Sequence, residues 1–449
     1  MKLITCILCL LFVPVPFAMA EDAPAEPFAF ADFTWLNGNS RQKSSLLDSK
    51  YFTGEFTADA NYIMDFNHPQ DHSLDGSCES GRTSEFQLQQ LGIGGDFHYE
   101  HVRGRLMTQF GMYSSLTPIN DYSTSRGQGN LGSAYKYLSE AYGGYHWDVM
   151  HGINLDAGIF MSYVGLFSYY NFENWAYQPS YVSANTPWFF NGLRLQVFPT
   201  DKFKAEFWLV NGWQSYGTFN SAPGLGTQLL WRPNGNVSIL SNDYWGHDTL
   251  GIAGRMRIHT DDSIEVKYYD DMTAKMDKAA FSLTVDAGCE NGGGVSCNGG
   301  KGGPAQNFLG FMAYNRFWFK KDIFAITVGG GAITNPGRYL VLTPPINGAT
   351  SASGGANSAY FTQNAGDPFK AWDASLTFDY MPDQFVTFRV EFDHRYANTP
   401  YFVGPNGITP SNGAGSFTNQ GAAGSYVSGF TPDLTKLENR INFALMVRI

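Results

Sequence analysis

From Val386 to Tyr396 apolar and polar side chains alternate strictly: Val386, Phe388, Val390 and Phe392 interleave with Thr387, Arg389, Glu391, Asp393 and Arg395. Trp372, Ala374, Leu376, Phe378 and Tyr380 alternate in the same way with Asp373, Ser375, Thr377 and Asp379. At the chain end Ile441, Phe443, Leu445, Val447 and Ile449 oppose Arg440, Asn442, Ala444, Met446 and Arg448, and Leu250, Ile252, Met256 and Ile258 oppose Ala253, Arg255, Arg257 and His259. A period of two puts the two sets on opposite faces of a strand, one fit for lipid or a core and one for water. Phase is ambiguous at 237–244 and 308–319. After Ala20 no window offers the ~18 consecutive apolar residues of a membrane-spanning helix.

Short polar turns are expected at 98–101, 148–152, 199–202, 233–236, 260–262, 320–322 and 382–384. Longer connections, mostly rich in Gly, Ser and Asn, are expected at 67–84, 114–136, 165–186, 215–224, 245–248, 272–306, 334–369 and 397–436. These joints separate about sixteen strands, the first near 50–66 and the last ending at Ile449. Short turns on one rim and long loops on the other predict an all-β fold, a transmembrane antiparallel up-and-down β-barrel with periplasmic turns and extracellular loops. The competing fold is a secreted sandwich or propeller with the apolar face as its core.

Composition sharpens that choice. Charged residues are 15% of the chain and aromatic residues 16%, with 50 glycines, against about 25% charged in a typical soluble protein. The formal charge of −11 argues against a nucleic-acid partner. Lys2, the apolar run 3–17 and Ala18-Met19-Ala20 read as a signal peptide over 1–20. A periplasmic N-terminal segment, 21–49, and the barrel, 50–449, follow. Cys289 and Cys297 flank a flexible stretch that an oxidising compartment could close as a disulfide, which leaves Cys78 over.

Four segments carry a family likeness: Phe33-Thr34-Trp35-Leu36-Asn37-Gly38-Asn39-Ser40-Arg41, Val210-Asn211-Gly212-Trp213-Gln214-Ser215-Tyr216, Asn335-Pro336-Gly337-Arg338-Tyr339, and the run from Glu391-Phe392-Asp393-His394-Arg395 to Phe402. They resemble the OmpL-like β-barrel porin family of Gram-negative outer membranes, from about Phe33 to the C-terminus. The resemblance implies a diffusion channel and names no solute.

Other chemistry is thin. Gly127-Gln128-Gly129-Asn130-Leu131-Gly132 has the glycine spacing of a dinucleotide loop but lies in a polar connection, outside any βαβ unit. His68 and His72 flank Pro69, which disfavours a helix, so they read as a loop-surface pair rather than a metal site. Linear G-x-S-x-G and H-E-x-x-H motifs are lacking, so no enzyme, cofactor or metal is expected. The informative set is the polar face of the strands. Arg103, Arg105, Arg255, Arg257, Arg389, Glu391, Asp393, Arg395 and Arg440 are expected to line the pore, with Glu55, Asp59, Glu140, Asp156, Glu265, Asp373 and Glu438. In a sixteen-strand barrel that face borders water.

Arg389 and Arg395 are expected to pair with Glu391 and Asp393 between them, and Arg255 and Arg257 to form an unpaired strip favouring anions. Thr387 is expected to face open water. Loop 165–186 concentrates aromatic residues around Asn171, Glu173 and Asn174; it reads as a constriction loop, a subunit contact or packing at the rim. The expected partners are outer-membrane lipid, small hydrophilic solutes or ions, the barrel-assembly machinery and a second copy of the chain. The expected function is a porin in the Gram-negative outer membrane. A solute-specific channel, or an adhesion or receptor barrel using 272–306, 334–369 and 397–436, are the alternatives.

Overall fold

The computed structural model describes residues 25–449 except 75, 78, 122–126, 221, 250, 301, 302, 304, 338, 340–368 and 408–432. The expected signal peptide, Cys78 and Leu250 lie outside the described residues, as do parts of the last two long connections. Sixteen antiparallel strands close into one barrel. In chain order they are β1 (Phe52–Asp65), β2 (Phe86–Tyr99), β3 (Val102–Thr108), β4 (Leu138–Trp147), β5 (Ile153–Met161), β6 (Phe189–Thr200), β7 (Phe203–Val210) and β8 (Gly224–Asn234). Then come β9 (Val237–Gly246), β10 (Met256–Asp270), β11 (Met276–Asn291), β12 (Asn307–Phe319), β13 (Phe324–Asn335), β14 (Phe369–Asp383) and β15 (Val386–Ala397). The two-residue strands β16 (Phe402–Val403) and β17 (Leu434–Thr435) pair within the last long connection, and β18 (Leu437–Arg448) closes the barrel between β15 and β1.

The alternation works out as side-chain direction. Phe388, Val390, Phe392, Leu376, Phe378, Phe443 and Leu445 are exposed on the outer surface. Thr387, Arg389, Glu391, Thr377, Asp379, Asn442 and Met446 are buried inside. The ambiguous strands resolve likewise: Met312, Tyr314, Arg316 and Trp318 of β12, and Ser238, Asn242 and Tyr244 of β9, point inward and are buried. Exposed aromatic residues gather outside both ends of the strands, Tyr99, Trp147, Trp231 and Tyr268 at the short-turn rim and Phe86, Phe110, Tyr137 and Trp372 at the other. Two such girdles around an apolar band are the outer signature of a barrel in a bilayer.

One stretch departs from the expected layout. Residues 260–262 are not a turn but the middle of β10, and 276–291, expected within a loop, form β11. The hairpin turn between them is 271–275, and the long connections around it are 247–255 and 292–306. The cause is local polarity. Asp261 faces inward and is fully buried, while Thr260 and Asp262 share the outer face and bond to each other (3.1 Å), interrupting its apolar pattern. Alternation is a hydrophobic signal, and three polar residues in a row erase it.

Candidate functional site

The connection between β5 and β6, residues 162–188, turns into the barrel rather than away from it. Its aromatic content supplies the drive: Phe167, Tyr169, Tyr170, Phe172, Trp175, Tyr177, Tyr181 and Trp188 are all buried, each worth about 1.5–3 kcal/mol on burial. A buried loop must also satisfy its backbone, and the inner wall does this. Glu391 accepts from the amides of Tyr177 and Gln178 (2.6 Å each). Asp373 accepts from the Tyr181 amide (3.0 Å) and Ser180 Oγ (2.8 Å). Arg389 donates to the Asn174 carbonyl (2.7 Å) and Arg316 to that of Trp175 (3.3 Å). Arg440 reaches Gln178.

The three polar loop residues named from sequence have separate partners. Asn171 donates to Asp59 (3.0 Å), which also takes the Tyr177 hydroxyl (2.9 Å). Glu173 is held by Arg448. Asn174 turns back on its own loop, accepting from the Ser168 amide (2.8 Å) and donating to its carbonyl (2.7 Å).

A second segment enters from the other end. Residues 25–49, expected ahead of the barrel, cross its short-turn mouth, where Phe28 donates to the Asp201 carbonyl (2.7 Å) and Trp35 Nε1 to that of Gly235 (3.1 Å). The Asn37 amide donates to Glu265 (2.8 Å), and Asn37 Oδ1 accepts from the Trp175 amide (2.7 Å), so strap and loop meet inside the bore. Arg41 bonds to the carbonyls of Asp383 and Val386 (2.7 Å each) and to Thr387 Oγ1 (2.8 Å). Burial lowers the Arg41 pKa to about 10, so it stays charged at neutral pH. Thr387 therefore meets this guanidinium, not open water. The sequence signal for the strap was the apolar cluster Phe28, Phe30, Phe33, Trp35 and Leu36 ahead of the first strand.

The inner-wall charges pair across strands. Arg389 bonds to Asp379 (2.6 and 2.9 Å), Arg395 to Glu438 (3.2 Å) and Arg440 to Asp393 (3.4 Å). Each pair lies directly opposite in the ladder, where side chains are closer than at i, i+2 along one strand. The expected same-strand pairing of Arg389 and Arg395 with Glu391 and Asp393 is thereby replaced. Arg257 lies between Glu290 (3.1 Å) and Asp248 (3.8 Å), and Arg255, which precedes β10, lies 4.0 Å from Glu290 and donates to the Gly293 carbonyl (3.0 Å). That strip is paired and buried, contrary to expectation.

The wall of β1–β4 is different. Arg105 bonds to Glu55 (2.9 Å), Asp96 (2.8 Å) and Glu140 (2.8 Å), and Arg103 to Asp156 (3.3 Å). Between this wall and loop residues 165–170 is a chamber of about 460 Å³, also bordered by Tyr142, Trp188 and Arg448. Glu55 and Asp96 border a further recess of about 300 Å³ beside strap residues 42–45 and Ile449. Elsewhere, a disulfide joins Cys289 at the end of β11 to Cys297 (S–S 2.01 Å, Cα–Cα 5.1 Å). Among the described residues no group of three or more His, Cys, Asp or Glu is placed to hold a metal ion.

Among solved structures the chain is similar to OprB of Pseudomonas putida (11% identity, 89% of this chain and 94% of that one, TM-score 0.49). It is likewise similar to an anion-selective porin from Comamonas acidovorans (10% identity, 89% and 99%, TM-score 0.48) and to the outer-membrane channel DcaP of Acinetobacter baumannii (12% identity, 90% and 100%, TM-score 0.46). No curated protein matches the chain significantly. The profile of the family described as "Putative beta-barrel porin-2, OmpL-like" matches residues 52–423, from the first strand into the last long connection. The chain belongs to that OmpL-like family of outer-membrane β-barrel porins.

Proposed function

We propose that the protein is a narrow diffusion channel for small hydrophilic solutes and ions, with its bore set by the 162–188 loop and the 25–49 strap. The observation that carries this reading is the division of the inner wall. The loop covers the β14–β15 wall and reaches Asp59 on β1, whereas beside Glu55, Asp96, Arg105 and Glu140 it leaves a charged chamber that leads toward the short-turn mouth. A hydrophilic wall replaces part of a solute's hydration while the solute bypasses the lipid. No cofactor is required, and family and fold point to a channel rather than an enzyme.

On this reading the short turns face the periplasm and the long loops the exterior. Cleavage near Ala20 precedes insertion by the barrel-assembly machinery. The inward-packed loop is a constriction and not a latch between subunits, because its aromatic residues are already buried within its own barrel. Any oligomer forms through the outer surface. The test is planar-bilayer recording with the folded, heat-modifiable protein. Stepwise, ohmic conductance is expected. Folded protein that inserts without conducting would leave the adhesion or receptor reading in its place.

A further inference from the structure

We infer that the chamber on the β1–β4 side makes this channel cation-selective, an inference that rests on the channel reading above. Four carboxylates border the chamber, those of Glu55, Asp96, Glu140 and Glu173, against two guanidinium groups, those of Arg105 and Arg448. Both guanidinium groups are ion-paired. Arg105 is shared by three of the carboxylates, and Arg448 is shared by Glu55 (3.0 Å) and Glu173. The lining therefore keeps an excess of two negative charges.

Exposure adds to the imbalance. The Asp96 side chain is 51% exposed, against 10% for Arg105 and 11% for Arg448. An arriving ion meets carboxylate oxygen before it meets guanidinium nitrogen. Asp96 and Glu55 also border the recess toward the mouth, where the one lysine in the lining, Lys43, is tied to Asp32 (3.5 Å). The Arg255–Arg257 strip does not offset this field, since both guanidinium groups are taken up by Glu290, Asp248 and the Gly293 carbonyl. Low-dielectric walls concentrate such a field, and carboxylates lining a pore favour cations by direct attraction.

The experiment is the reversal potential of the full mature protein in planar bilayers under a KCl gradient. Potassium is expected to permeate ahead of chloride by a factor of about three or more near 0.1 M salt, and by less near 1 M, where screening shortens the reach of each charge. Asp96→Asn is expected to lower the permeability ratio by about half, because one of two excess charges is removed at the most exposed position. A conducting channel that prefers chloride, or one whose ratio is indifferent to both salt and Asp96→Asn, overturns the inference and leaves the channel reading standing. Folded protein that never conducts overturns both.

Discussion

The inner faces of β14–β15 and of β2–β3 obey the same alternation and end up in opposite surroundings. On β14–β15, Asp379 is fully buried and is shared by Arg316 (2.7 Å) and Arg389 (2.6 Å), and its neighbours hold the loop backbone. On β2–β3, Asp96 bonds to Arg105 and remains half exposed beside the chamber. What separates them is the chain that folds over one and not the other. Charges on the covered wall act as anchors for a loop. On the proposed channel reading, charges on the open wall are left to act on ions. A charged residue on the polar face of a barrel strand is thus not by itself a pore contact.

That contrast can be broken most forcefully at Asp379. Asp379→Ala strands two buried guanidinium groups and is expected to cost about 3–5 kcal/mol, read as a lower urea midpoint for loss of the heat-modifiable folded form. On the lipid side, Phe388→Lys puts a charge on the outer surface beside Arg389 and is expected to cost about 2–4 kcal/mol if it sits near the bilayer midplane. The same unfolding measurement checks it, and a cost well under 1 kcal/mol would mean that the outer face is wrongly phased.

A smaller effect is expected at Glu79, buried in the 66–85 connection with no hydrogen-bond partner for Oε1 among the described residues. Burial, with Asp59 and Glu391 nearby, pushes its carboxyl well above the usual range. The folded state therefore holds a proton that the unfolded state releases, and stability contributed at low pH is lost as pH rises through the folded-state pKa. Glu79→Gln is expected to be more stable than wild type at neutral or alkaline pH, by about 1 kcal/mol, with the difference vanishing below about pH 3, where both states are protonated. A constant difference across pH would assign the effect to packing alone. The smallest effect is expected on the open wall: Asp96→Ala should change stability by no more than about 1 kcal/mol, in contrast to Asp379→Ala. Equal losses at the two aspartates would erase the distinction between the walls.

Much of the barrel was legible in the sequence because lipid and wall impose a period of two on β14, β15 and β18, and no loop disturbs their outer faces. It was illegible at 260–262, where a polar outer pair on β10 imitates a turn. Charge pairing was illegible for another reason. Arg389 finds Asp379, ten residues away, because the ladder sets them side by side, and only the register supplies that neighbour. The position of Thr387 needed more still, because its partner Arg41 arrives from the far end of the chain. Aromatic crowding in 165–186 signalled that the loop must pack on something, and left open whether that was a lumen, a rim or a subunit.

Whether this loop sets the bore is read from single-channel conductance after excising residues 168–181 and closing the gap with a short Gly/Ser turn. Removing the segment takes away the groups held by Glu391, Asp373 and Arg389. A folded barrel of clearly higher conductance than wild type is expected. A folded barrel with unchanged conductance would contradict that role of the loop.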